Sequence, residues 1–374
     1  MFDRAGLRAA VGANVITADQ ASRLEAFLIS RMDGDETPVA GQENLRFLAN
    51  FNDIFITLGL IILFIGLTTF VSMIATPSVA SGSILSGIIA ALVIGGAAWA
   101  MLEYFAGRRR LLLPSMALTL MFCMFMMLGL TALYGRMVVG ADFMATFDPD
   151  DMIQLTGNMG IVAFLSSLLA AGLVFLRFRL PFSLAVMAIS LSAAVYTFLS
   201  LYGGLGLILG GTAFLLLGVM TFVAAVLFDM QDPERIRKPS DHAFWLHLAA
   251  APQIIWGVST IVTGSNILAG STSGTDNATQ SLVLLGVLVV IGILSLAINR
   301  RALIAASLAT FIFGLSFVLS EAGLDASNIF IMVTIIIGSG VVLLGAGWKT
   351  ARRAVLVFFP KGGTWSRVFP AEPA

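Results

Sequence analysis

Asp241, His242 and His247 stand together in the run SDHAFWLHL, and two imidazoles beside a carboxylate are the raw material of metal ligation or proton transfer. His242 and His247 are five residues apart, about 140° around a helix, so they do not share a face. A zinc pair of the HExxH type needs a spacing of four. The chain holds only 2 His and 1 Cys, so no metal set can be completed from these types. No catalytic, metal or cofactor-binding residue is assigned on this basis, and no cofactor is expected. His242 does share a face with Gln253, three turns on, and Thr260 continues that face. Pro252 removes a backbone donor in the same stretch and disturbs the carbonyl one turn back, near Leu248. A polar stripe beside a broken helix marks a candidate pathway made of His242, His247, Gln253 and Thr260. The plainer reading is an interhelical hydrogen bond from Gln253, worth ~1 kcal/mol.

Other groupings are weaker. Asp53, Glu103 and the run Arg108, Arg109, Arg110 form a charge cluster at one end of the first two apolar segments. It reads either as a gate or carboxylate site or as ion pairs that fix helix ends. Ser83, Gly87, Ala91 and Gly95 recur every four residues and build a small-residue face for close helix packing. Asp148, Asp150 and Asp151 lack the glycine and distal Glu of a calcium loop, and serve as cap and first-turn acids around Pro149. Met116, Met121, Met124, Met126 and Met127 point all round one helix beside Cys123, so they suit packing better than copper.

These residues need elements to hold them, and composition says which. Apolar residues make up 58% of 374 positions, charged residues 11%, and the mean hydropathy is +0.97. Soluble domains run nearer 45–50% apolar and ~25% charged. The balance excludes a soluble globular protein, a disordered chain and a nucleic-acid binder, and fits a multi-span membrane protein with lipid as its main partner. Ten apolar stretches follow a polar first 50 residues, at roughly 52–76, 81–105, 112–134, 154–176, 181–202, 205–229, 242–264, 280–299, 302–322 and 326–347. Each is long enough for ~30 Å of hydrocarbon as a helix, and alternating barrel strands are absent. The expected fold is an all-α membrane protein, a bundle of about ten transmembrane helices. Three regions are expected: 1–50, a cytoplasmic helical pair with an acidic linker; 51–348, the ten-helix domain; and 349–374, a basic interfacial helix and tail.

Charge sets the orientation. With residues 1–51 inside, 20 of the 21 Lys and Arg fall in inner segments and only Arg136 in an outer loop. Both termini are then cytoplasmic. Thr17 to Gln20 spells a capping box, with Ala21, Leu24 and Leu28 on one face behind it. Lys349 to Phe359 reads as a basic helix on anionic lipid headgroups. Every Asp, Glu, Lys and Arg lies at or beyond a helix end, so nothing ionised is expected mid-membrane. Arg110, Arg179 and Arg301 each precede a short apolar step and a Ser-x-Ala helix start, which suggests a duplicated hairpin or convergence on a favoured anchor.

The stretches GRRRLLLPS at 107–115, DPERIRKPSDHAFWLHLAAAP at 232–252, NRRALIAASL at 299–308, LGAGWKTARRAVL at 344–356 and ITADQASRLEAFL at 16–28 resemble a family of bacterial inner-membrane proteins classed only as domains of unknown function. The resemblance covers most of the chain, with 232–252 its most specific part. It implies a bacterial inner-membrane location and supplies no catalytic or binding residues. Two functional classes remain: a non-catalytic scaffold or sensor read out by a cytoplasmic protein at the N-terminal helices, and passive or partner-driven transport of a neutral or amphipathic molecule. An intramembrane enzyme acting on a lipid-like substrate is the third reading. A sealed bundle around Gln253 would favour the first, an open cavity the second.

Overall fold

A computed structural model describes residues 11–13, 15–17, 19–21, 24, 51–75, 83–139, 149–203, 206–232, 238–263, 277–298, 312, 315, 319 and 325–358. The chain divides into two compact units, Met1–Asn44 and Leu45–Ala374. In the first, the capping box is formed: the Thr17 N–H donates to Gln20 Oε1 at 3.0 Å and the Gln20 N–H to Thr17 Oγ1 at 3.2 Å.

The described part of the second unit is helical, with no strand among the described residues. In order it runs α1 (Phe51–Ala75), α2 (Ser83–Leu102), a π-helical turn (Glu103–Arg108), α3 (Leu112–Val139), α4 (Pro149–Phe178), α5 (Pro181–Tyr202), α6 (Gly206–Gln231), α7 (Lys238–Thr263), α8 (Asn277–Ile298) and α9 (Ala326–Leu356). The expected span at 302–322, with its Arg301 motif, lies outside the described residues except at three isolated positions.

Among the described residues, six helices are long and apolar enough to cross a membrane: Asn52–Phe70, Leu85–Arg108, Leu112–Val138, Met152–Phe178, Pro181–Tyr202 and Leu209–Gln231. Val289–Ile298 and Ser327–Leu343 are shorter apolar stretches. The long helices turn large apolar side chains outward, such as Ile62, Phe70, Val93, Leu169, Leu176 and Met220. Such a surface suits lipid and would aggregate in water.

Sequential helices pack on one another: α2 on α3, α3 on α4, α4 on α5, α5 on α6 and, most closely, α6 on α7. One apolar core lies among α1 to α4, centred on Ala98, Leu102, Leu118, Phe125 and Val174, with Trp99 against Phe122 at 5.2 Å and Phe178 at 5.5 Å. A second joins α7 to α8 through Ala251, Ile255, Ile291 and Ile298.

Two tight turns share one device. Arg110 and Arg179 both adopt left-handed backbone, with φ of 56° and 53°, each just before an outgoing helix. A buried serine then bonds back across the start of that helix. Ser183 Oγ donates to the Leu180 carbonyl at 2.7 Å, and Ser115 Oγ to the Leu111 carbonyl. The Arg-Leu…Ser likeness seen in the sequence therefore has a common backbone shape at two of its three places. The π turn before Arg110 has no counterpart before Arg179.

The basic segment after the last span is not a separate helix. Lys349 to Leu356 continues α9 without a break, and Arg352 within it is buried. The run WKTARRAVL holds no Gly or Pro to interrupt the helical ladder, so helix propensity carries α9 through.

Candidate functional site

The site is built on α7, the most polar of the core helices. From Ser240 to Thr260 nearly every α7 residue is buried or half-buried, because α5, α6 and α8 pack around it. A helix enclosed by protein can carry polar groups that a lipid-facing helix cannot. The enclosure depends on glycine. A Cβ at Gly257 would lie 2.5 Å from the Leu215 backbone N, and one at Gly218 would lie 2.9 Å from the Ile254 backbone N. A Cβ at Gly211 would lie 3.0 Å from Thr260 Cβ. The α6 and α7 backbones therefore meet as closely as helices can.

Across this contact, Asp229 Oδ2 of α6 lies 2.8 Å from His247 Nε2 of α7. The two side chains are 8% and 0% exposed. Phe222 sets its ring edge-on to His247 at 5.3 Å. Asp229 stands two residues from the end of α6, as a headgroup-level acid would, yet its carboxylate turns into the bundle. Asp229 is at a helix end, where the sequence reading put every acid, but its side chain is buried between two helices rather than turned to headgroups. The apolar run VAAVLFDM places Asp229 at a border, and the inward turn follows from its facing His247, which single-helix reading cannot show.

Gln253 lies six residues further along α7 and is 1% exposed. Its Oε1 sits 3.1 Å from Thr221 Oγ1 of α6 and 3.4 Å from Ser192 Oγ of α5. Thr221 Oγ1 also lies 2.8 Å from the Leu217 carbonyl. One hydroxyl has one proton, so Thr221 cannot donate to both. Turning the amide over lets its NH2 donate to Thr221 while Thr221 donates to Leu217. In the first orientation the Gln253 Nε2 is buried with no partner among the described residues. On α4 and α5, Ser167 and Ser190 hydroxyls meet at 2.9 Å.

The four residues of the expected pathway do not form one column. His242 sits apart in an aromatic box, stacked on Phe228 at 5.4 Å and edge-on to Phe175 at 6.3 Å. Thr260 Oγ1 donates to its own Trp256 carbonyl at 3.0 Å. His247 and Gln253 are separated by about 9 Å of helix rise, well beyond hydrogen-bond reach.

The charge cluster of Asp53, Glu103 and Arg108 to Arg110 is also rearranged. Glu103 pairs with Arg177 of α4, which donates from Nε at 2.8 Å and from Nη2 at 3.1 Å. Arg109 leans on Tyr104, its Nε 3.2 Å from the hydroxyl, while Arg108 and Arg110 are exposed. Asp53 is buried at the start of α1, and its carbonyl accepts from Thr57 Oγ1 at 2.6 Å. The Arg177 partner escaped the sequence reading because it lies on a different helix pair.

On the small-residue face, Ala91 and Gly95 point at α3. A Cβ at Gly95 would strike the terminal methyl of Met126 and lie 3.6 Å from Phe125 Cβ. Gly129 of α3 answers it, facing Leu92 and Ala91. Gly87 is buried, and the Ser83 side chain lies outside the described residues. Among the described residues no three His, Cys, Asp or Glu group to hold a metal.

The architecture thus defines a class: a helical protein with, among the described residues, six membrane-length apolar helices and a buried polar core helix. Comparison with protein-family models, with curated proteins and with solved structures yields no match in any of the three.

Proposed function

We propose that the chain is a non-catalytic scaffold or sensor in a bacterial inner membrane, crossing it about ten times with both termini in the cytoplasm. The 20:1 partition of Lys and Arg supports that orientation. The resemblance of 232–252 and its companion stretches supports the location and the family. The N-terminal unit would pass the signal to a cytoplasmic protein, and Lys349 with the exposed Arg353 would rest against anionic lipid.

The observation that carries this reading is the burial of α7: His247, Gln253 and Thr260 are all at most 1% exposed, and Gly211, Gly218 and Gly257 bring α6 and α7 into close contact beside them. A conduit needs its polar groups to meet water or solute. An intramembrane hydrolase would need water at His247, which the same burial denies.

One observation favours the second reading. The Gln253 Nε2 is buried with no hydrogen-bond partner among the described residues, and such atoms commonly hold a bound water or a small polar molecule. Thiol labelling separates the two. Gln253→Cys in a Cys123→Ala background should resist a membrane-impermeant maleimide in intact membranes. Rapid labelling of position 253 would replace the sensor reading with transport of a neutral polar solute.

A further inference from the structure

We infer that the two arginine turns at one end of the bundle bind one anionic phospholipid, its phosphate on the guanidinium groups and an acyl chain along α4. The turn from α2 to α3 carries Arg108, Arg109 and Arg110, and the turn from α4 to α5 carries Arg177 and Arg179. All five are exposed. The turns are some 70 residues apart in sequence, and Glu103 joins them by accepting from Arg177 Nε at 2.8 Å and Nη2 at 3.1 Å. Phe178 closes the junction: its ring stands 5.5 Å from that of Trp99, and a Cβ on Gly107 would lie 3.7 Å from its Cε1. Residues 103–111 and 176–181 therefore place five arginines against one glutamate. This site depends on the bundle lying in lipid and not on the sensor reading of α7.

A guanidinium is a planar fork that matches phosphate oxygens two at a time and keeps its charge. Aromatic rings steer two of the five. Arg109 Nε donates to the Tyr104 hydroxyl at 3.2 Å, and its guanidinium lies 5.7 Å from the Tyr104 ring centre. Arg177 lies 5.7 Å from the Phe178 ring centre. The bonds to Tyr104 and Glu103 use only part of each fork, so further N–H groups remain to donate. Glu103 offsets one charge and leaves the pair of turns cationic. Helix ends next to long apolar stretches lie at headgroup level, where clustered cations attract anionic lipid.

The apolar half of the ligand has its own track. Leu165, Leu169, Leu173 and Leu176 of α4 are exposed and share one face with Gly172, within about 100° of the helix circumference. Arg177 follows four residues after Leu173 and ends that row. A Cβ on Gly172 would meet nothing within 4 Å, so the row has an open notch between Leu169 and Leu176. The notch is about 7 Å of helix rise from Arg177, and Leu165 to Leu176 spans about 16 Å, roughly half of a ~30 Å hydrocarbon layer. That is the reach of one acyl chain in one leaflet. A soluble phosphate compound would engage the arginines and leave this track empty, which is why the occupant assigned here is a lipid.

The test uses the full chain in detergent, titrated with phosphatidylglycerol or phosphatidylcholine and read by native mass spectrometry. The wild type should bind phosphatidylglycerol more tightly. The double variant Arg110→Gly, Arg179→Gly removes two cations at left-handed positions, φ 56° and 53°, where glycine relieves strain. Its thermal midpoint should not fall, yet its phosphatidylglycerol affinity should drop about twentyfold, at about fivefold per cation near the surface. Its phosphatidylcholine binding should not change. Gly172→Trp fills the notch with every charge kept, and should weaken phosphatidylglycerol as well. Unchanged phosphatidylglycerol affinity in either folded variant overturns the proposal. So does displacement of the lipid by glycerol 3-phosphate at matched concentration, which would mark a site for soluble phosphates. Should the double variant fail to fold, Arg108→Gln decides in its place: a loss of about fivefold upholds the site, and no loss overturns it.

Discussion

Replacing Gly257 by alanine puts a close backbone contact between α6 and α7 under direct load. The new Cβ would lie 2.5 Å from Leu215 N and 2.7 Å from its Cα, against an ordinary contact of 3.4–4 Å. Those are backbone atoms, so no side chain can swing aside, and α7 must retreat from α6 by about 1 Å. Overpacking of this kind costs ~1–3 kcal/mol. If the retreat reaches His247, its 2.8 Å contact with Asp229 stretches to about 3.8 Å, outside hydrogen-bond range. That loses a further ~1.5–3 kcal/mol for a bond to a charged group. The gain in helix propensity from Gly to Ala returns ~1 kcal/mol. The net destabilisation is then ~1.5–5 kcal/mol. Gly96→Ala is the matched control, because nothing lies within 4 Å of a Cβ there, and it should be neutral or stabilising by up to ~1 kcal/mol. Thermal unfolding of detergent-solubilised protein, followed by loss of the monodisperse chromatographic peak, ranks the variants. A Gly257→Ala midpoint equal to that of Gly96→Ala would refute the close-contact reasoning.

Three further expectations use the same assay. Gly95→Leu should unfold the protein, while Gly95→Ala should cost little, because the obstructing Met126 methyl is the end of a flexible side chain; an unchanged midpoint for Gly95→Leu would place that face in lipid. Glu103→Gln should lower stability by no more than ~1 kcal/mol, since the pair with Arg177 is solvent-exposed, with side chains 37% and 60% accessible; a loss beyond ~2 kcal/mol would mean the pair is shielded. Arg179→Gly should leave the midpoint unchanged or raise it, because φ of 53° strains a residue with a Cβ by ~1 kcal/mol; a clear drop would show that the guanidinium matters more than its backbone.

The helices were legible because each has about twenty apolar residues, and even α7, diluted by His, Gln and Pro, stood out between charged turns. Helix-end chemistry was partly legible. The Thr17–Gln20 box formed as spelled, but the left-handed turns fall on Arg110 and Arg179 rather than on glycine, and a single Gly107 does not announce the π turn at 103–108. The fusion of 349–356 onto α9 was missed because a cluster of cations resembles an interfacial helix whether or not the chain bends before it. What lay beyond reach was pairing between helices. Asp229 reads as a border residue until the register of α6 against α7 is known, and Arg177 reads as a lipid anchor until α4 meets α2. Gly211, Gly218 and Gly257 escaped notice because two helices share the stripe, whereas Ser83 to Gly95 repeats within one.

Proton flux across liposomes tests the sealed core most directly. Purified protein reconstituted with a pH-sensitive dye inside, under an imposed pH gradient, should collapse that gradient no faster than protein-free liposomes. A flux above that leak that disappears in His247→Gln would contradict the account, and would make the buried Asp229–His247 pair part of a conducting path.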